Sequence, residues 1–446
     1  MTMFEQNPNY KVSGERWLGH IPVDWKTIKI KWLTSIKRGA SPRPIDDPKY
    51  FDEQGEYAWV RIADVSKSKM YLDTTTQRMS ELGSSLSVKR EPGDIFLSIA
   101  GTVGKPCITN IKCCIHDGFV YFPNYKGDVR FLYYLFESGE PYKGLGKMGT
   151  QLNLNTDTVG TIVIPDINVN LQKAISDFLD IKTKEIDDLI TNKEKLINLL
   201  EEKCQSIITE AVTKGLKPNV KMKNSGVDCI DKIPEHWDIK KIKHISTFVG
   251  SGKTPRGGSE IYPESGILFL RSMNVHYDGI RLKDIVHITP EIDEDMRSTR
   301  VKPKDVLLNI TGASIGRSCI VPESLGKANV NQHVCIIRSD ARLIVPELLS
   351  KIMSSDFIMQ QILMSQNGSS REGLNFTQVK NLNFPLTRDL NEQIEIANYI
   401  SVETDKLNSL INTIKKQIKK LREYRQSLIY EAVTGKIDVR EFEVVS

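Results

Sequence analysis

The sequence predicts an α+β fold in which two similar globules are separated by two long antiparallel α-helices that form a coiled-coil spacer. Two observations predict it. Segments from the first half of the chain return in the same order in the second half, and each copy is followed by a stretch with a helical apolar stripe. The chain is therefore expected to be an internal repeat with pseudo-two-fold character, and each half should comprise one globule and one helix.

The repeat rests on segments that match in both sequence and order. The pairs are Ile21-Pro-Val-Asp-Trp25 with Ile233-Pro-Glu-His-Trp237, Gly93-Asp-Ile-Phe-Leu-Ser-Ile-Ala-Gly101 with Lys304-Asp-Val-Leu-Leu-Asn-Ile-Thr-Gly312, and Glu210-Ala-Val-Thr213 with Glu431-Ala-Val-Thr434. Gln172 and Gln393 also match. Their common order indicates a duplication, and overlooking a duplication would mis-assign the whole fold.

Each globule is predicted to be rich in β-strands. Short runs such as Asp94–Ala100 and Gly160–Ile164 favour strands and are separated by Gly, Pro, Asn and Ser. Trp25 and Trp237 stand at matching places near the start of each globule, where we expect them to pack in the core. A compact α+β globule follows for each half.

Each globule is followed by a sequence typical of one long helix. From Leu171 to Val212 the chain contains neither Pro nor Gly, and apolar residues recur at helical spacing. We expect Asp166 or Asn170 to cap its start and Gly215 to end it. At about 1.5 Å of rise per residue, the helix would be roughly 60 Å long.

A second apolar stripe runs from Asn391 to Val433 and is followed by Gly435. A lone helix of this length with one apolar seam needs a partner, so the two seams are expected to pair with each other. The chain is accordingly divided into four segments: residues 1–165 as the first globule, 166–215 as the first helix, 216–388 as the second globule, and 389–446 as the second helix with a C-terminal tail.

The composition is that of an ordinary globular protein, with 39% hydrophobic and 26% charged residues among 446. The net charge of +5 permits a polyanionic partner without requiring one. No long apolar run and no signal-peptide pattern occur, so neither membrane insertion nor secretion is expected. Seven cysteines without a C-x-x-C pair favour a reducing cytoplasm over a disulfide framework.

One stretch, TFVGSGKTPRGG from Thr247 to Gly258, resembles a phosphate-binding loop because it contains Gly-Lys-Thr. The full motif needs a glycine where Thr247 stands, and a helix should begin at the Lys-Thr. Pro255 and the glycines after it break a helix instead. The matching stretch of the first globule, Arg38-Gly-Ala-Ser-Pro-Arg43, has no Gly-Lys-Thr at all. Nucleotide hydrolysis is therefore not expected.

The motifs of catalytic and metal-binding proteins are also missing. Asn381-Leu-Asn-Phe-Pro385 lacks the Pro-Pro of an amino-methyltransferase, and no Gly-rich AdoMet loop occurs. Glu201-Glu-Lys203 matches the Glu-x-Lys part of a restriction-nuclease motif, but it falls inside the predicted helix and not on a strand. The cysteines near His116 lack the ligand spacing of a zinc site, so Cys107, Cys113 and Cys114 are expected to be buried, inert thiols. A non-catalytic chain without a metal or cofactor of its own is expected.

The chain resembles the specificity subunit of type I restriction–modification systems in the order of its motifs. A globule that opens with Ile-Pro-x-x-Trp is followed by a long helix, and both then occur a second time, with Glu-Ala-Val-Thr near the end of each helix. The resemblance spans essentially the whole chain. It implies that each globule is a target-recognition domain that reads one half of a split double-stranded DNA site. It implies also that the helices fix the gap and dock two methyltransferase subunits. Restriction subunits with nuclease and translocase activity would join that core, and these partners would bind AdoMet, ATP and Mg²⁺.

Candidate DNA contacts are cationic, hydroxyl and amide side chains in loops, because Lys, Arg and hydroxyls bind phosphates while Arg, Asn, Gln and Ser read base edges. Both globules keep a hydroxyl residue followed by Pro-Arg, and both have a polar loop just before the segment that leads into the long helix. The candidates are Lys37, Arg38, Ser41, Arg43, Lys105, Lys147 and Gln151 in the first globule, and Lys253, Thr254, Arg256, Arg317, Ser369, Ser370, Arg371 and Asn375 in the second.

Two alternatives stay open on the sequence. The chain could be a coiled-coil scaffold whose globules bind other proteins, or the specificity module of a related system that only methylates DNA. DNA binding that weakens with salt would separate a DNA reader from a protein scaffold, because phosphate contacts release counterions.

Overall fold

The computed structural model describes residues 9–143, 145, 154–255, 262–366 and 373–440. The chain divides into two compact units, Met1–Lys193 with Lys416–Ser446 and Glu194–Lys415. Each unit therefore contains one globule together with a part of both long helices.

The α-helices of the described residues are short within the globules and long after them. They are α1 (Ile30–Leu33), α2 (Ile62–Lys67), α3 (Glu81–Ser85), α4 (Val129–Glu137), α5 (Thr156–Thr161), α6 (Val169–Lys214), α7 (Ile242–Ile245), α8 (Pro290–Asp295), α9 (Pro346–Met353), α10 (Asp356–Met364), α11 (Phe376–Asn381) and α12 (Leu390–Val433).

The strands of the described residues are short throughout. In the first unit they are β1 (Tyr10–Val12), β2 (His20–Pro22), β3 (Lys26–Lys29), β4 (Lys37–Arg38), β5 (Tyr57–Val60), β6 (Tyr71–Leu72), β7 (Gln77–Met79), β8 (Val88–Arg90), β9 (Ile95–Ser98), β10 (Pro106–Thr109), β11 (Cys113–Ile115), β12 (Phe119–Tyr121) and β13 (Val163–Asp166). In the second they are β14 (Met222–Val227), β15 (Ile230–Pro234), β16 (Asp238–Lys241), β17 (Ser246–Ser251), β18 (Ile267–Leu270), β19 (Val275–His276), β20 (Gly279–Ile280), β21 (Val286–Ile288), β22 (Val306–Asn309), β23 (Ser318–Ile320), β24 (Ala328–Val330), β25 (Val334–Ser339) and β26 (Asn383–Leu386).

The sheet topology repeats between the two globules, which confirms the predicted duplication. The larger sheet has the order β4-β12-β9-β10-β6 in the first unit and β17-β25-β22-β23 in the second. The smaller sheet runs β7-β5-β11-β8 in the first and β21-β18-β24 in the second. The pairs β3 with β13 and β16 with β26 are likewise antiparallel ladders at matching places.

The tryptophans that recur in the repeat lie in the cores, as predicted. Trp25 is 6% exposed and Trp237 is 2% exposed. Trp237 packs with apolar residues from both long helices of its unit, including Val212 and Ile396. The Ile-Pro-x-x-Trp motif is therefore a packing element of the fold.

Each globule is fastened to its long helix by an equivalent glutamine. Gln172 accepts a hydrogen bond from the Asp128 amide at 2.8 Å, and Gln393 accepts one from the Val345 amide at 2.8 Å. Both side chains are almost fully buried, and each also donates to a backbone carbonyl just before its helix. Because Asp128 and Val345 precede α4 and α9, the same contact joins globule and helix in both units.

The start of α6 differs from the prediction. Asp166 and Asn170 are the caps that the sequence suggests, but Asn168 Oδ1 accepts the hydrogen bond from the Leu171 amide at 2.9 Å. Asp166 is held in β13 opposite Lys26, which keeps it extended and delays the helix. Asn170 falls inside the first turn of α6. The prediction of Asp166 or Asn170 as the cap is wrong for this reason.

The predicted strand Gly160–Ile164 is also partly wrong. Thr156–Thr161 form the short helix α5, and β13 begins only at Val163. Asn155 caps this helix by accepting a hydrogen bond from the Thr158 amide at 2.9 Å. A local capping motif thus overrides the strand preference of the residues that follow it.

The two long helices run antiparallel where they pack within each unit. In the first unit, Arg425 Nε lies 3.1 Å from Asp187 Oδ1, while Lys193 Nζ donates to Gln417 Oε1 at 2.7 Å. From the first contact to the second, the residue number increases in α6, from 187 to 193, and decreases in α12, from 425 to 417. The two helices therefore run in opposite directions. In the second unit, Lys415 Nζ lies 3.8 Å from Glu201 Oε1.

Most of the predicted apolar stripes are buried, but several members are not. Phe178 and Ile400 are both fully buried. The exposed apolar residues of the long helices are Val169, Leu189, Leu196, Leu199, Ile394, Tyr399, Val402, Leu410 and Tyr424. The apolar surface of the helices is therefore wider than the surface that this chain covers by itself. Among the described residues, no helix is both long enough and apolar enough to span a membrane.

Candidate nucleic-acid interface

In each globule the chain passes from the smaller sheet to the larger through a three-residue turn. Residues 116–118 join β11 to β12, and residues 331–333 join β24 to β25. The predicted hydroxyl-Pro-Arg loops follow β4 and β17, the edge strands that pair with β12 and β25. The loop and the turn therefore meet at the same edge of the larger sheet in both globules.

A glycine allows the loop to approach the turn closely. A Cβ atom placed on Gly39 would lie 2.2 Å from the carbonyl oxygen of His116, and one on Gly252 would lie 1.6 Å from that of Val330. A side chain at Gly39 would push the loop away from the turn, and one at Gly252 would push it away from Val330 at the end of β24. The glycine before each hydroxyl-Pro-Arg segment is thus required by packing and not by a bound phosphate.

In the first globule, the close approach of loop and turn places three predicted DNA-binding residues within hydrogen-bonding distance of Asp117. Ser41 Oγ donates to Asp117 Oδ1 at 3.2 Å, and Arg43 Nη2 donates to Asp117 Oδ2 at 3.2 Å. Arg38 Nε donates to the backbone carbonyl of Asp117. The Arg43 side chain remains 73% exposed, so its guanidinium is oriented by the carboxylate and still open to solvent.

The neighbouring His116 belongs to the core side of the turn. Burial lowers the pKa of His116, and the nearby Asp117 carboxylate opposes that effect only in part. Its Nδ1 accepts a hydrogen bond from the Gly118 amide at 2.8 Å, and its ring packs on Phe119 and Trp59. The imidazole therefore belongs to the packed side of the turn, while the guanidinium groups of Arg38 and Arg43 lie on its exposed side.

In the second globule, the equivalent turn carries a chain of hydrogen bonds. Thr254 donates its hydroxyl proton to Gln332 Oε1, at the place where Ser41 meets Asp117 in the first globule. Gln332 Nε2 lies 2.8 Å from His333 Nε2, and Thr311 Oγ1 lies 2.6 Å from His333 Nδ1. Four polar side chains thus form one continuous network on this edge.

The described residues next to the second predicted loop of each globule make contacts elsewhere in their globule. Thr311 forms a β-bridge with Gly373, which directly follows the segment containing Ser369, Ser370 and Arg371. In the first globule, Tyr142 donates to the Gly104 carbonyl at 3.0 Å, shortly before the segment containing Lys147 and Gln151. In the second globule, the bridge places Gly373 beside Thr311, which belongs to the polar network of the turn.

Several predicted residues lie outside the described residues: Lys147, Gln151, Arg256, Ser369, Ser370 and Arg371. Of the remaining candidates, Lys37 and Lys253 are exposed next to the loops.

Two other candidates, Lys105 and Asn375, have contacts that serve the fold, and a third, Arg317, acts on a neighbouring tyrosine through its charge. Lys105 Nζ donates to the carbonyls of Ser66 and Ser68 at 3.0 and 2.7 Å, near the end of α2. Asn375 caps α11, where it accepts from the Gln378 amide at 2.9 Å. Arg317 is half-buried, and its charge opposes the rise that burial causes in the pKa of Tyr277. Contact of these residues with DNA stays a prediction.

Sequence reasoning missed Asp117, Gln332, His333 and Thr311. Asp117, Gln332 and His333 stand in the turns His-Asp-Gly and Asn-Gln-His, which share no residue at matching positions, so the sequence repeat gave no signal for them. Thr311 lies in the repeated segment Lys304–Gly312, where the first copy has Ala100 instead. Only the matching strand order places the two turns at equivalent sites.

The cysteines near His116 are buried, as expected. Burial raises the pKa of Cys107 to about 11, that of Cys113 to about 12, and that of Cys114 to about 11. Such thiols remain protonated at neutral pH and are poor nucleophiles. All seven cysteines are free thiols.

Each unit also has an open cleft where its globule meets its long helices. The cleft of the first unit has a volume of about 860 Å³ and is lined by residues that include Tyr134 and Thr183. That of the second has a volume of about 800 Å³, and its lining includes Lys351 and Thr404. Burial lowers the pKa of Lys351. Because α4 and α9 supply Tyr134 and Lys351, the two clefts lie at matching places in the repeat.

A duplicated α+β globule with a polar loop cluster in each copy and a long helix after each defines a protein with two similar recognition modules. The family model of the Type I restriction modification DNA specificity domain matches residues 22–201 and again residues 234–420. The chain therefore belongs to this family and carries two copies of its domain.

Individual relatives are distant but match over nearly the full length. The chain is 24% identical to the type I restriction enzyme EcoBI specificity subunit of Escherichia coli, over 98% of this chain and 89% of that protein. It is also 24% identical to the MjaIX specificity subunit of Methanocaldococcus jannaschii, over 99% of both. A solved structure from a study of complex assembly and conformational transition in the type I R-M system shares the fold, with a TM-score of 0.69 at 13% identity. That alignment covers 93% of this chain and 98% of the other.

Proposed function

We propose that this chain is the DNA-reading subunit of a type I restriction–modification complex, in which each globule reads one half of a split duplex site. The observation that carries the proposal is the duplicated loop cluster of a DNA specificity domain with different side chains in the two copies. The first cluster presents Arg43 on a carboxylate, and the second presents Gln332 in an amide and hydroxyl network. Two similar but non-identical clusters suit two different half-sites.

The long helices supply the fixed spacing in this proposal. Gln172 and Gln393 fasten each globule to the start of its helix, so a globule cannot swing freely on a linker. Half-site spacing then follows from protein geometry, as it does for dimeric DNA-binding proteins. The helices set the gap between the two half-sites.

The exposed apolar side chains of the helices support docking of two methyltransferase subunits and, through them, the restriction subunits. Leu199 is 61% exposed and Val402 is 53% exposed, although both lie on the helix pair. Contiguous exposed apolar patches mark sites of protein association, and these side chains are the candidates for such a patch on the helices. The matching clefts beside the helices offer a further part of such a surface in each unit.

The chain itself performs no chemistry in this proposal. AdoMet, ATP and Mg²⁺ belong to the partner subunits, and the complex acts in the reducing cytoplasm, where its free thiols are stable. Glu201 and Lys203, the nuclease-like pair, are exposed in the middle of α6, so they lie on a helix and not on a strand of a nuclease sheet. DNA recognition is therefore the contribution of this chain to the complex.

The decisive experiment compares the methylome of cells with and without this gene. Deletion should remove adenine methylation from one split motif and leave other motifs unchanged. Re-expression of the intact chain should restore the same motif. An unchanged methylome would contradict the proposal and favour a protein-binding scaffold instead.

The purified chain, assayed without partner subunits, should neither methylate nor cleave duplex DNA in the presence of AdoMet, ATP and Mg²⁺. Addition of the methyltransferase subunits should restore methylation, which serves as the positive control. Methylation or cleavage by the chain alone would show that it carries an active site of its own.

A further inference from the structure

We propose that Asp117 and Gln332 are the equivalent specificity-determining residues of the two globules: Asp117 orients Arg43 toward a guanine, and Gln332 reads an adenine. The inference rests on the proposed DNA-reading function and deepens it. Neither residue was expected from the sequence, since only the strand topology shows that the two turns correspond.

Asp117 and Gln332 occupy the same place in the repeat. Both lie in the turn that crosses from the smaller to the larger sheet, and both accept a hydrogen bond from the hydroxyl of the hydroxyl-Pro-Arg loop. The donor is Ser41 in one globule and Thr254 in the other. The acceptor of this hydrogen bond is a carboxylate in the first globule and an amide in the second, so the two turns differ in chemistry at an equivalent place.

The hydrogen bonds of Gln332 leave a complementary pair of groups unused among the described residues. A glutamine amide offers two N–H donors and two acceptor lone pairs. One lone pair accepts from Thr254, and one N–H points to His333 Nε2 at 2.8 Å. One donor and one acceptor remain on an exposed side chain. Adenine presents the matching acceptor N7 and donor N6 in the major groove, and a glutamine amide can bind both together.

The hydrogen bonds of Asp117 favour recognition of guanine and not of adenine. A carboxylate has no donor, and near DNA it repels phosphates, so it is not suited to hold the backbone. Its Oδ2 instead binds one Nη2 proton of Arg43 at 3.2 Å, while that side chain stays 73% exposed. A guanidinium fixed in this way presents its other N–H groups together, and guanine O6 and N7 accept such a pair. Asp117 is thus a positioning residue that acts through Arg43.

The test uses the full chain assembled with its methyltransferase subunits and a library of random DNA duplexes. Bound duplexes are sequenced for the parent complex and for each variant. The parent should enrich two half-sites separated by a constant gap. Because the library contains every short sequence, the enriched duplexes themselves reveal which bases are recognised.

Asp117→Asn should lower the preference for guanine at one position of one half-site by about tenfold, because the guanidinium loses its charged partner. Affinity for duplex without the site should not fall and is expected to rise, because a negative charge has been removed near phosphates. A merely structural role would weaken both kinds of binding. In the Arg43→Ala background, Asp117→Asn should change the base preference no further, since it acts through Arg43.

Gln332→Glu should shift the preference at one position of the other half-site from adenine toward cytosine. A glutamate lacks the donor for adenine N7, but it can accept from cytosine N4. The matched controls carry the same charge changes away from the turns. Glu53→Gln matches Asp117→Asn, and Glu53 lies before β5, at the opposite end of the β5–β11 pair from Asp117. Gln360→Glu matches Gln332→Glu, and Gln360 lies on the exposed face of α10. Both controls should retain the parental site.

The outcomes separate the two proposals. If the parent complex enriches no sequence, the DNA-reading function fails, and this inference fails with it. If the parent enriches a split site and both turn variants keep every base of it, the DNA-reading function stands and the assignment of Asp117 and Gln332 is overturned. A change in both half-sites with either variant would also overturn it.

Discussion

Replacing Asp305 with alanine should destabilise the second unit by about 3–5 kcal/mol, because it leaves a largely buried guanidinium without its counter-charge. Asp305 is 1% exposed, and its carboxylate accepts from Nε and Nη2 of Arg338 at 2.8 and 2.7 Å. It also accepts from the Lys302 amide at 2.7 Å. Arg338 lies in β25, the strand that β17 and β22 flank, so the pair ties the start of β22 to the middle of the larger sheet.

Amide hydrogen exchange with mass spectrometry measures this effect unit by unit. Protection in β22 and β25 of the Asp305→Ala chain should fall on the order of a hundredfold or more, while β9 and β12 keep theirs. Arg342→Ala is the control, since it removes an ion pair whose guanidinium is 87% exposed, and such pairs contribute about 1 kcal/mol or less. Unchanged protection in β22 would show that the pair does not stabilise the sheet.

A double variant tests the cause. Arg338→Met added to Asp305→Ala should recover part of the lost protection, because it removes the unpaired charge and leaves an apolar side chain over Phe248. If the double variant is less stable than Asp305→Ala, the packing of the Arg338 side chain stabilises the unit by more than its unpaired charge destabilises it.

The long helices and the duplication could be predicted because their signals are local or repeated. An apolar residue at every third or fourth position, without Pro or Gly, is sufficient to predict α6 between residues 171 and 212. The cap was missed because Asp166, Asn168 and Asn170 are equally good capping residues, and the choice depends on where β13 stops pairing with β3.

The loop clusters could be predicted only in part because their assembly is non-local. Ser41 and Arg43 meet Asp117 only after β4 pairs with β12, a contact between residues far apart in the chain. Asn375 illustrates the opposite difficulty: the same side chain chemistry that reads a base also caps a helix, and here the cap is made. Residue type alone does not separate those two uses.

Inserting four residues into each long helix should lengthen the gap of the recognised site by about one or two base pairs, with both half-sites unchanged. Four residues add about 6 Å of rise and nearly preserve the apolar face, while DNA advances about 3.4 Å per base pair. The insertions belong after Lys195 and after Lys416, within two residues of the hydrogen bond between Lys193 and Gln417. Because the two insertions then lie opposite each other in the antiparallel pair, the helix contacts before and after the insertions keep their original residue partners.

Methylome mapping of cells that express the lengthened chain measures the gap directly. Two-residue insertions at the same positions are the control, because they rotate the apolar faces by about 200° and should abolish methylation through loss of helix pairing. The four-residue variant should methylate as the parent does, at sites with the longer gap. Methylation by that variant at the parental gap would show that the helices do not set the distance between the half-sites, and the spacing would then have to come from the partner subunits.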